Sequence, residues 1–326
     1  MTSCTIIVYH YESLPFLRAC IRQIRKYKHP EIEQHIIIAD QSSELTQITI
    51  NAEYEGDSDI TIVQMKSICS GYSIDYIMRF GDIKTEYTCT MDVDAFPIHP
   101  NWIYIPIKLI EEYGFSFVGH HPDESGVTQW KRFEDAYSQY GKFFHVAQAF
   151  RVGYTKNFKE LALKAGFTRS VDSRNKIDGL FGFESNQWME IANKKGLDGY
   201  ADSSVIAHWW EDQNKENNKF TFAETACLGI APTEGRYGRV IDDLVFHFMF
   251  SYNYLQVADK QKSMGQNFLY WIEKINAGLT DELINEMLSA TIPVYDVPRL
   301  LWDGKNKTTI PVDKALNEKI TKLKST

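Results

Sequence analysis

The chain has 326 residues, about the length of two average domains, and its 44% hydrophobic content is enough to form a substantial core. Its 35 Lys and Arg against 43 Asp and Glu give a formal charge of −8, which argues against a nucleic-acid-binding protein with a basic patch. The sequence shows no leader-like segment and no apolar run of membrane length. The cysteines are odd in number and widely spaced, which indicates reduced thiols in a cytoplasmic protein: Cys4, Cys20, Cys69, Cys89 and Cys227.

The first hundred residues alternate between short apolar runs and helical patterns. Four runs are continuous enough to be strands buried on both faces, at residues 5–9, 34–39, 60–63 and 87–91. Between these runs, apolar residues recur three or four positions apart, as in a helix. This alternation predicts an α/β fold with a mainly parallel, doubly wound, Rossmann-like sheet.

The fourth run leads into Asp92-Val93-Asp94, which places two carboxylates one residue apart at the end of a strand. Carboxylate oxygens are the ligands that hard divalent cations such as Mg²⁺ and Mn²⁺ prefer. The chain has neither G-x-G-x-x-G after the first strand nor G-x-x-x-x-G-K-[ST], the two commonest phosphate-binding motifs. We therefore predict that Asp92 and Asp94 bind a metal ion that holds a diphosphate.

Further candidate residues follow the other predicted strands. Tyr9 and His10 end the first strand, Asp40 ends the second, and Gly71 opens the helix after the third. In a doubly wound sheet, the carboxyl ends of the strands meet at one edge, and ligands bind there. We expect Tyr9, His10, Asp40, Gly71 and Asp92 to contact the donor substrate.

This order of elements, with Asp40 after the second strand and the Asp92–Asp94 triplet after the fourth, resembles the family 2 glycosyltransferases of the GT-A fold. The resemblance is good over residues 4–100 and looser over residues 140–212. It implies transfer of a sugar from a UDP- or GDP-linked donor to a hydroxyl of a carbohydrate or glycoconjugate. It also implies that Asp40 contacts the nucleobase and that Asp94 is a direct ligand of Mn²⁺ or Mg²⁺.

The resemblance further implies a catalytic base in the segment 177–188, where a Gly-rich turn precedes a predicted helix. Glu184 occupies the position of the base in inverting members of the family. Ser185 replaces the second acid of the usual Glu-Asp pair, which leaves open that Glu184 is an ordinary acid in a first helical turn. Asp178 is the second candidate for the base.

His208 follows a strand predicted at residues 204–207. The resemblance implies that such a histidine completes the metal site, and neutral imidazole suits Mn²⁺ better than Mg²⁺. A structural histidine is the alternative interpretation.

Residues 216–326 predict a mainly helical C-terminal extension to a GT-A domain at residues 1–215. The extension includes an aromatic stretch at 242–254 and helical spacing of apolar residues at 283–288. It is a candidate to cover the acceptor groove, to form a homodimer, or to contact the inner face of a membrane peripherally.

The combined prediction is a metal-dependent, inverting hexosyltransferase, and two alternatives stay open. A nucleotidylyltransferase would need a Gly-rich, basic loop after the first strand, where this chain has Tyr9-His10-Tyr11-Glu12. A non-catalytic nucleotide- or carbohydrate-binding module with a decayed site is favoured by Ser185 and opposed by the intact Asp92–Asp94 triplet.

Overall fold

The computed structural model describes residues 1–65, 70–120, 147–164, 225–228, 230–232, 238–248, 273–274, 277–278, 280–289, 299–303 and 308–325. The first part alternates strands and helices as predicted: β1 (Thr2–His10), α1 (Leu14–Lys26), β2 (Ile32–Asp40), α2 (Glu44–Tyr54), β3 (Ile60–Gln64), α3 (Ser70–Phe80) and β4 (Tyr87–Asp92).

The remaining elements include most of the shorter strands. They are β5 (Ala95–Pro97), α4 (Tyr104–Tyr113), β6 (Phe117–His120), β7 (Ala147–Tyr154), α5 (Thr155–Lys164), β8 (Thr225–Leu228), β9 (Ile230–Pro232), β10 (Gly238–Ile241), β11 (Val245–Phe248), α6 (Asp281–Ser289), β12 (Leu300–Asp303), β13 (Thr308–Pro311) and α7 (Lys314–Lys324).

The large sheet has the strand order β13-β12-β8-β6-β7-β4-β1-β2-β3. The neighbours β3, β2, β1 and β4 are all parallel, and β7 then runs antiparallel to β4. This α/β sheet confirms the predicted fold class. The chain order reverses between β1 and β4, so the carboxyl ends of these two strands form the crevice in which ligands of such sheets bind.

Both faces of the parallel strands are covered, which explains their continuous apolar sequences. On one face, Ile6 and Val8 pack in the larger core with α1, whose buried side chains include Phe16 and Leu17. On the other face, Ile7 packs in a smaller core with residues of α3 and α5, among them Ile74 and Phe158. Each strand therefore has little freedom to shift its register, because a one-residue slip would exchange the two faces.

A second, four-stranded sheet has the order β5-β11-β10-β9. Residues 216–326 were expected to be mainly helical, but the described part of the aromatic stretch 242–254 is a turn followed by the strand β11. Asp242 and Asp243 have φ values of 50° and 57°, and the Leu244 N–H donates to the Ile241 carbonyl over 2.8 Å. A left-handed conformation at both residues together with this hydrogen bond makes a tight turn, and the register then pairs Ile241 with Val245 in a β-hairpin.

In its described parts, the region after residue 215 contains helices as expected, α6 and α7, and also six strands that join the two sheets. Asp281 at the start of α6 accepts hydrogen bonds from Arg22, Gln23 and Lys26 of α1. The division into domains at residue 215 stays a prediction. Among the described residues, no helix has both the length and the apolar character needed to cross a bilayer.

Candidate active site

The Asp92–Asp94 triplet lies at the carboxyl end of β4, beside the crevice between β1 and β4. Asp92 is the last residue of β4 and is half-buried, whereas Asp94 is buried in the turn before β5. The register of the parallel pair places Asp92 beside Tyr9 of β1. The backbone carbonyl of Asp94 accepts a 2.8 Å hydrogen bond from the Phe248 N–H, which attaches the triplet to the second sheet.

That attachment brings a histidine to the two carboxylates. β11 pairs antiparallel with β5, and His247 lies opposite Ala95 in this register. The His247 Nε2 atom is 3.4 Å from Asp94 Oδ1 and 3.8 Å from Asp92 Oδ2. One potential ligand atom from each of the three residues lies within 4.8 Å of the other two, so a single ion between them can contact all three.

The donor set of this cluster is two carboxylate oxygens and one imidazole nitrogen. Oxygen ligands suit Mg²⁺ and Mn²⁺ alike, whereas the imidazole shifts the preference towards Mn²⁺ and other transition metals. His247 is buried on a short strand, and the Phe248 N–H to Asp94 carbonyl bond fixes the neighbouring backbone. The residues present therefore fit a divalent cation.

The carboxyl ends of β1 and β2 carry a buried polar pair. His10 and Asp40 lie opposite each other in the strand register, and both side chains are inaccessible to solvent. The His10 Nδ1 atom is 2.8 Å from Asp40 Oδ1, and the Ser42 N–H donates to the same oxygen over 3.1 Å. The structure thus brings His10 and Asp40 together at the edge that also carries the Asp92–Asp94 triplet.

The loop between β1 and α1 is fastened to the loop between β2 and α2. Glu12 adopts a left-handed backbone conformation, with φ of 48°. Its N–H donates to Ser42 Oγ over 2.8 Å, and its carboxylate accepts from the Ser43 N–H and the Thr46 hydroxyl. These contacts stabilise a residue conformation that is uncommon outside glycine, and they hold the two loops beside Asp40.

Gly71 is the second residue of α3, and the start of this helix is also tied to the strand ends. The Gln41 side-chain amide donates to Ser73 Oγ over 2.6 Å, and both residues are buried. The predicted donor-binding residues Tyr9, His10, Asp40 and Gly71 therefore belong to loops and strand ends that surround one edge of the sheet.

Arg151 of β7 is a buried cation on the same face of the sheet as Tyr9. Its Nε–H donates to Thr90 Oγ1 over 3.1 Å, and its guanidinium lies 5.8 Å from the centre of the Phe158 ring. Burial raises the pKa of the Tyr9 phenol above its usual range, and the nearby Arg151 cation opposes this rise while the Asp92 carboxylate adds to it. Arg151 and Asp92 thus both lie close enough to the Tyr9 phenol to influence it, with opposite effects.

Glu184, Asp178 and His208 lie outside the described residues. Their predicted roles stay predictions. His247 was not among the predicted site residues, because the region 216–326 was expected to be a mainly helical extension outside the catalytic domain. The sequence did carry a signal for a strand around His247. Val245, Phe246 and Phe248 are apolar and β-forming, and His247 is the single polar residue among them.

Residues 5–171 match the family described as Glycosyl transferase family 2. No curated protein matches the chain in sequence.

Several solved glycosyltransferase structures share part of the architecture. The mannosyltransferase PcManGT from Pyrobaculum calidifontis, in complex with GDP-Man and Mn²⁺, is 16% identical over 52% of this chain and 48% of its own, with a TM-score of 0.38. Residues 1–349 of S. aureus TarS, in complex with UDP-GlcNAc, are 17% identical over 37% of this chain and 34% of that chain, with a TM-score of 0.31. The galactosyltransferase LgtC, in complex with donor and acceptor sugar analogues, is 11% identical over 63% of this chain and 69% of its own, with a TM-score of 0.39.

This chain thus spans less than half the length of the PcManGT and TarS chains. The sequence match covers half of the chain and includes β1 to β7 with the Asp92–Asp94 triplet. The chain therefore belongs to glycosyl transferase family 2 and has the mixed α/β architecture of the GT-A glycosyltransferases.

Proposed function

We propose that this glycosyltransferase is a metal-dependent, inverting hexosyltransferase. It moves a sugar from a nucleotide-diphosphate donor to a hydroxyl of a carbohydrate or glycoconjugate acceptor. The observation that carries this proposal is the convergence of Asp92, Asp94 and His247, from both sheets, on one place at the carboxyl edge of β4.

In this proposal Asp92, Asp94 and His247 hold Mn²⁺ or Mg²⁺, and the imidazole favours Mn²⁺. When bound, the cation supplies Lewis-acid stabilisation of the negative charge that grows on the leaving diphosphate, an effect worth roughly several kcal/mol. His208, the histidine inferred from the family resemblance, stays a second candidate for the imidazole ligand.

The residues at the ends of β1 and β2 bind the nucleoside part of the donor. Asp40 is buried and accepts hydrogen bonds through Oδ1, and a carboxylate there can also accept from an N–H of the nucleobase. Tyr9, His10 and the Gly71 end of α3 surround the same edge. Because β1 lies between β2 and β4, the ribose spans the region over β1.

Glu184 is proposed as the base that removes the proton from the acceptor hydroxyl, with Asp178 as the second candidate. The oxygen freed of its proton attacks the anomeric carbon from the side opposite the diphosphate, so the configuration inverts. General-base catalysis of this type contributes about 10²–10⁴-fold to the rate.

A cytoplasmic location is proposed from the cysteines. Cys4, Cys20 and Cys89 are buried free thiols, and burial raises the pKa of each above its usual range. Unpaired buried thiols are typical of proteins in reducing compartments. A homodimer and a peripheral membrane contact stay predictions.

The first experiment is a thermal-shift panel with UDP, GDP, CDP and dTDP, each with and without Mn²⁺. The variants are the wild type, Asp94→Ala and, as a matched control, Asp57→Ala. Asp57 lies before β3, at the opposite edge of the sheet from Asp94. We expect stabilisation that needs one type of nucleotide and the metal, and that is lost in Asp94→Ala and kept in Asp57→Ala.

The nucleotide that stabilises the protein then names the donors for a screen of sugar transfer. A nucleotide-dependent shift without any transfer activity would favour a binding module over an enzyme. No shift with any nucleotide would contradict the proposed donor site.

A further inference from the structure

The strand that brings His247 to the metal site is short. β11 has four residues, and its register joins three of them to β5. A hairpin of such short strands is at best marginally stable by itself in water. The buried Phe246 and Phe248 side chains add apolar contacts, which hold the strand in the core without fixing a direction. The direction of the His247 ring therefore also depends on the polar contacts that hold the two ends of β11.

One end of β11 is attached to the metal site and the other to the C-terminal part of the chain. The Phe248 N–H to Asp94 carbonyl bond holds the first end. Before the other end, the Asp242 carboxylate accepts from Arg299 Nε over 2.6 Å and contacts the Lys324 ammonium. The Asp242 side chain is 3% exposed. A carboxylate buried to this extent cannot leave its cations without a large desolvation cost, so Asp242 fixes the place of the turn.

The backbone of this turn needs such support. Asp242 and Asp243 are consecutive left-handed residues, with φ of 50° and 57°, and neither is glycine. Conformations of this kind are uncommon for residues with a Cβ atom and persist where the surrounding structure holds them. Without its cations, the Asp242 turn can relax towards a more common conformation. Because β11 follows the turn directly, such a change moves the strand that carries His247.

The end of α7 connects this turn to the other side of the metal site. The Asn101 side-chain amide, which lies between β5 and α4, donates to the Leu323 carbonyl over 2.8 Å. The next residue, Lys324, contacts Asp242. The buried residues of α7 belong to the larger core, so the helix itself is firmly placed. The contacts form a closed frame that runs from the acidic triplet along β5 to Asn101, across the end of α7 to Asp242, and along β11 to His247.

From this frame we infer that Asp242 is a positioning residue of the metal site. Held by Arg299 and Lys324, it keeps the β10–β11 hairpin where His247 reaches a metal ion bound by the acidic triplet. The segment that contains β12, β13 and α7 thereby sets the affinity of the site for its metal, although it supplies no ligand in this assignment. The inference rests on the proposed function, because it takes His247 as a metal ligand.

The test is a titration of the full chain with Mn²⁺, followed by electron paramagnetic resonance. Pulsed measurements of bound Mn²⁺ also report the coupling to an imidazole nitrogen, which shows directly whether a histidine is a ligand. We expect Asp242→Asn and Lys324→Met to lower the Mn²⁺ affinity about three- to tenfold, the range typical of residues that act through a neighbouring element. Both should weaken the nitrogen coupling. Lys324→Arg keeps the charge and should restore both values.

Two controls separate positioning from a general loss of stability. Asp281→Asn removes a comparable carboxylate, which accepts hydrogen bonds from α1 and not from the hairpin, and should leave the Mn²⁺ affinity unchanged. In a His247→Ala background, Asp242→Asn should have no further effect on Mn²⁺ affinity, because its influence passes through the imidazole. Each variant is titrated where its urea unfolding curve shows that it is folded.

The outcomes distinguish this inference from the proposed function. A folded Asp242→Asn variant with wild-type Mn²⁺ affinity and nitrogen coupling would overturn the inference and leave the proposed function intact. An equal loss of affinity in the His247→Ala background, or in Asp281→Asn, would do the same. If Asp242→Asn does not fold, the comparison of Lys324→Met with Lys324→Arg decides. A wild-type protein that does not bind Mn²⁺ or Mg²⁺ would contradict both.

Discussion

The Nε2 atom of His247 lies 3.4 Å from the Oδ1 atom of Asp94, although the two residues come from opposite halves of the chain. The contact exists because the hairpin β10–β11 pairs with β5, the short strand that directly follows Asp94. Asp94 lies at the end of the large sheet and His247 lies on the small one, so the metal site depends on the junction between the two sheets.

Removal of this imidazole should weaken metal binding. We expect His247→Ala to reduce the affinity for Mn²⁺ at least about tenfold, since even changes to residues that merely orient metal ligands cost that much. Calorimetry or electron paramagnetic resonance titration with Mn²⁺ measures the change. The control is His35→Ala, because His35 is half-buried on β2 and contacts Thr61, away from the triplet. Equal Mn²⁺ affinities for His247→Ala and the wild type would exclude His247 as a ligand.

The proposed catalytic base can be separated from the donor site by its kinetic effect. Glu184→Gln keeps the size of the side chain and removes its basicity, so the turnover number should fall about 10²–10⁴-fold. The affinity for the nucleotide should remain unchanged, because the role proposed for Glu184 involves the acceptor and not the donor. Asp178→Asn is measured in parallel, and a large loss in that variant alone would move the role to Asp178.

The turn of the β10–β11 hairpin should make a pH-dependent contribution to stability. Asp242 is buried and contacts the Arg299 guanidinium over 2.6 Å and the Lys324 ammonium. Burial by itself raises the pKa of Asp242. The Arg299 hydrogen bond and the two positive charges lower this pKa by a larger amount, so that it lies below its usual value in the folded protein. Ionisation of Asp242 therefore favours the folded state above the pKa of the unfolded chain, near 4.

We expect Asp242→Asn to reduce the free energy of unfolding by about 2 kcal/mol at pH 7, because it leaves the half-buried Arg299 and Lys324 without their anion. The difference from the wild type should shrink as the pH falls below about 4 and through the folded-state pKa, where Asp242 itself becomes protonated. Urea unfolding at several pH values measures this. Asp243→Asn is the control, because the Asp243 side chain is 80% exposed and its pairing with Lys324 should contribute less than about 1 kcal/mol. A gap that stays constant down to pH 3 would contradict the expectation.

A close contact between β6 and β7 should make Gly153 intolerant of a side chain. A Cβ atom at this position would lie 2.5 Å from Phe117 Cδ1 and 2.9 Å from the Ser116 carbonyl oxygen. The Phe117 ring has little room to move, because it packs edge-on against the Phe158 ring, with 5.1 Å between the two ring centres. We expect Gly153→Ala to destabilise the protein by about 1–3 kcal/mol.

Thermal and urea unfolding of Gly153→Ala measure the loss. In a Phe117→Leu background the ring atoms are absent, and the same substitution should cost less, so that a double-mutant cycle gives a non-zero coupling energy. Additive effects of the two substitutions would show that the Phe117 ring is not the obstacle.

The parallel half of the fold could be predicted from the sequence because its signals are local. Strands β1 and β2 are buried on both faces, and their apolar runs are continuous for that reason. The helix α1 shows its buried face as apolar residues three or four apart, and its Arg residues lie on the opposite face. The boundaries of the four strands differed by at most three residues, as between the predicted strand at 34–39 and β2 at Ile32–Asp40.

The strands after residue 215 were harder to predict because they are short and depend on partners far away in the chain. β11 has four residues, and it is a strand because β10 and β5 satisfy its backbone hydrogen bonds on both sides. A short, mostly apolar run of this length can equally belong to a helix when such partners are unknown. The aromatic composition of 242–254 therefore did not distinguish the two structures.

The sequence by itself determined the α/β class, the family, and the placement of Asp40, Asp92 and Asp94 at strand ends, because each follows from a run of neighbouring residues. The tertiary structure alone decided that His247 joins Asp92 and Asp94, and that His10 occupies one oxygen of Asp40. Both are contacts between side chains distant in the sequence. Their geometry depends on strand pairing and register, which no local pattern of residues encodes.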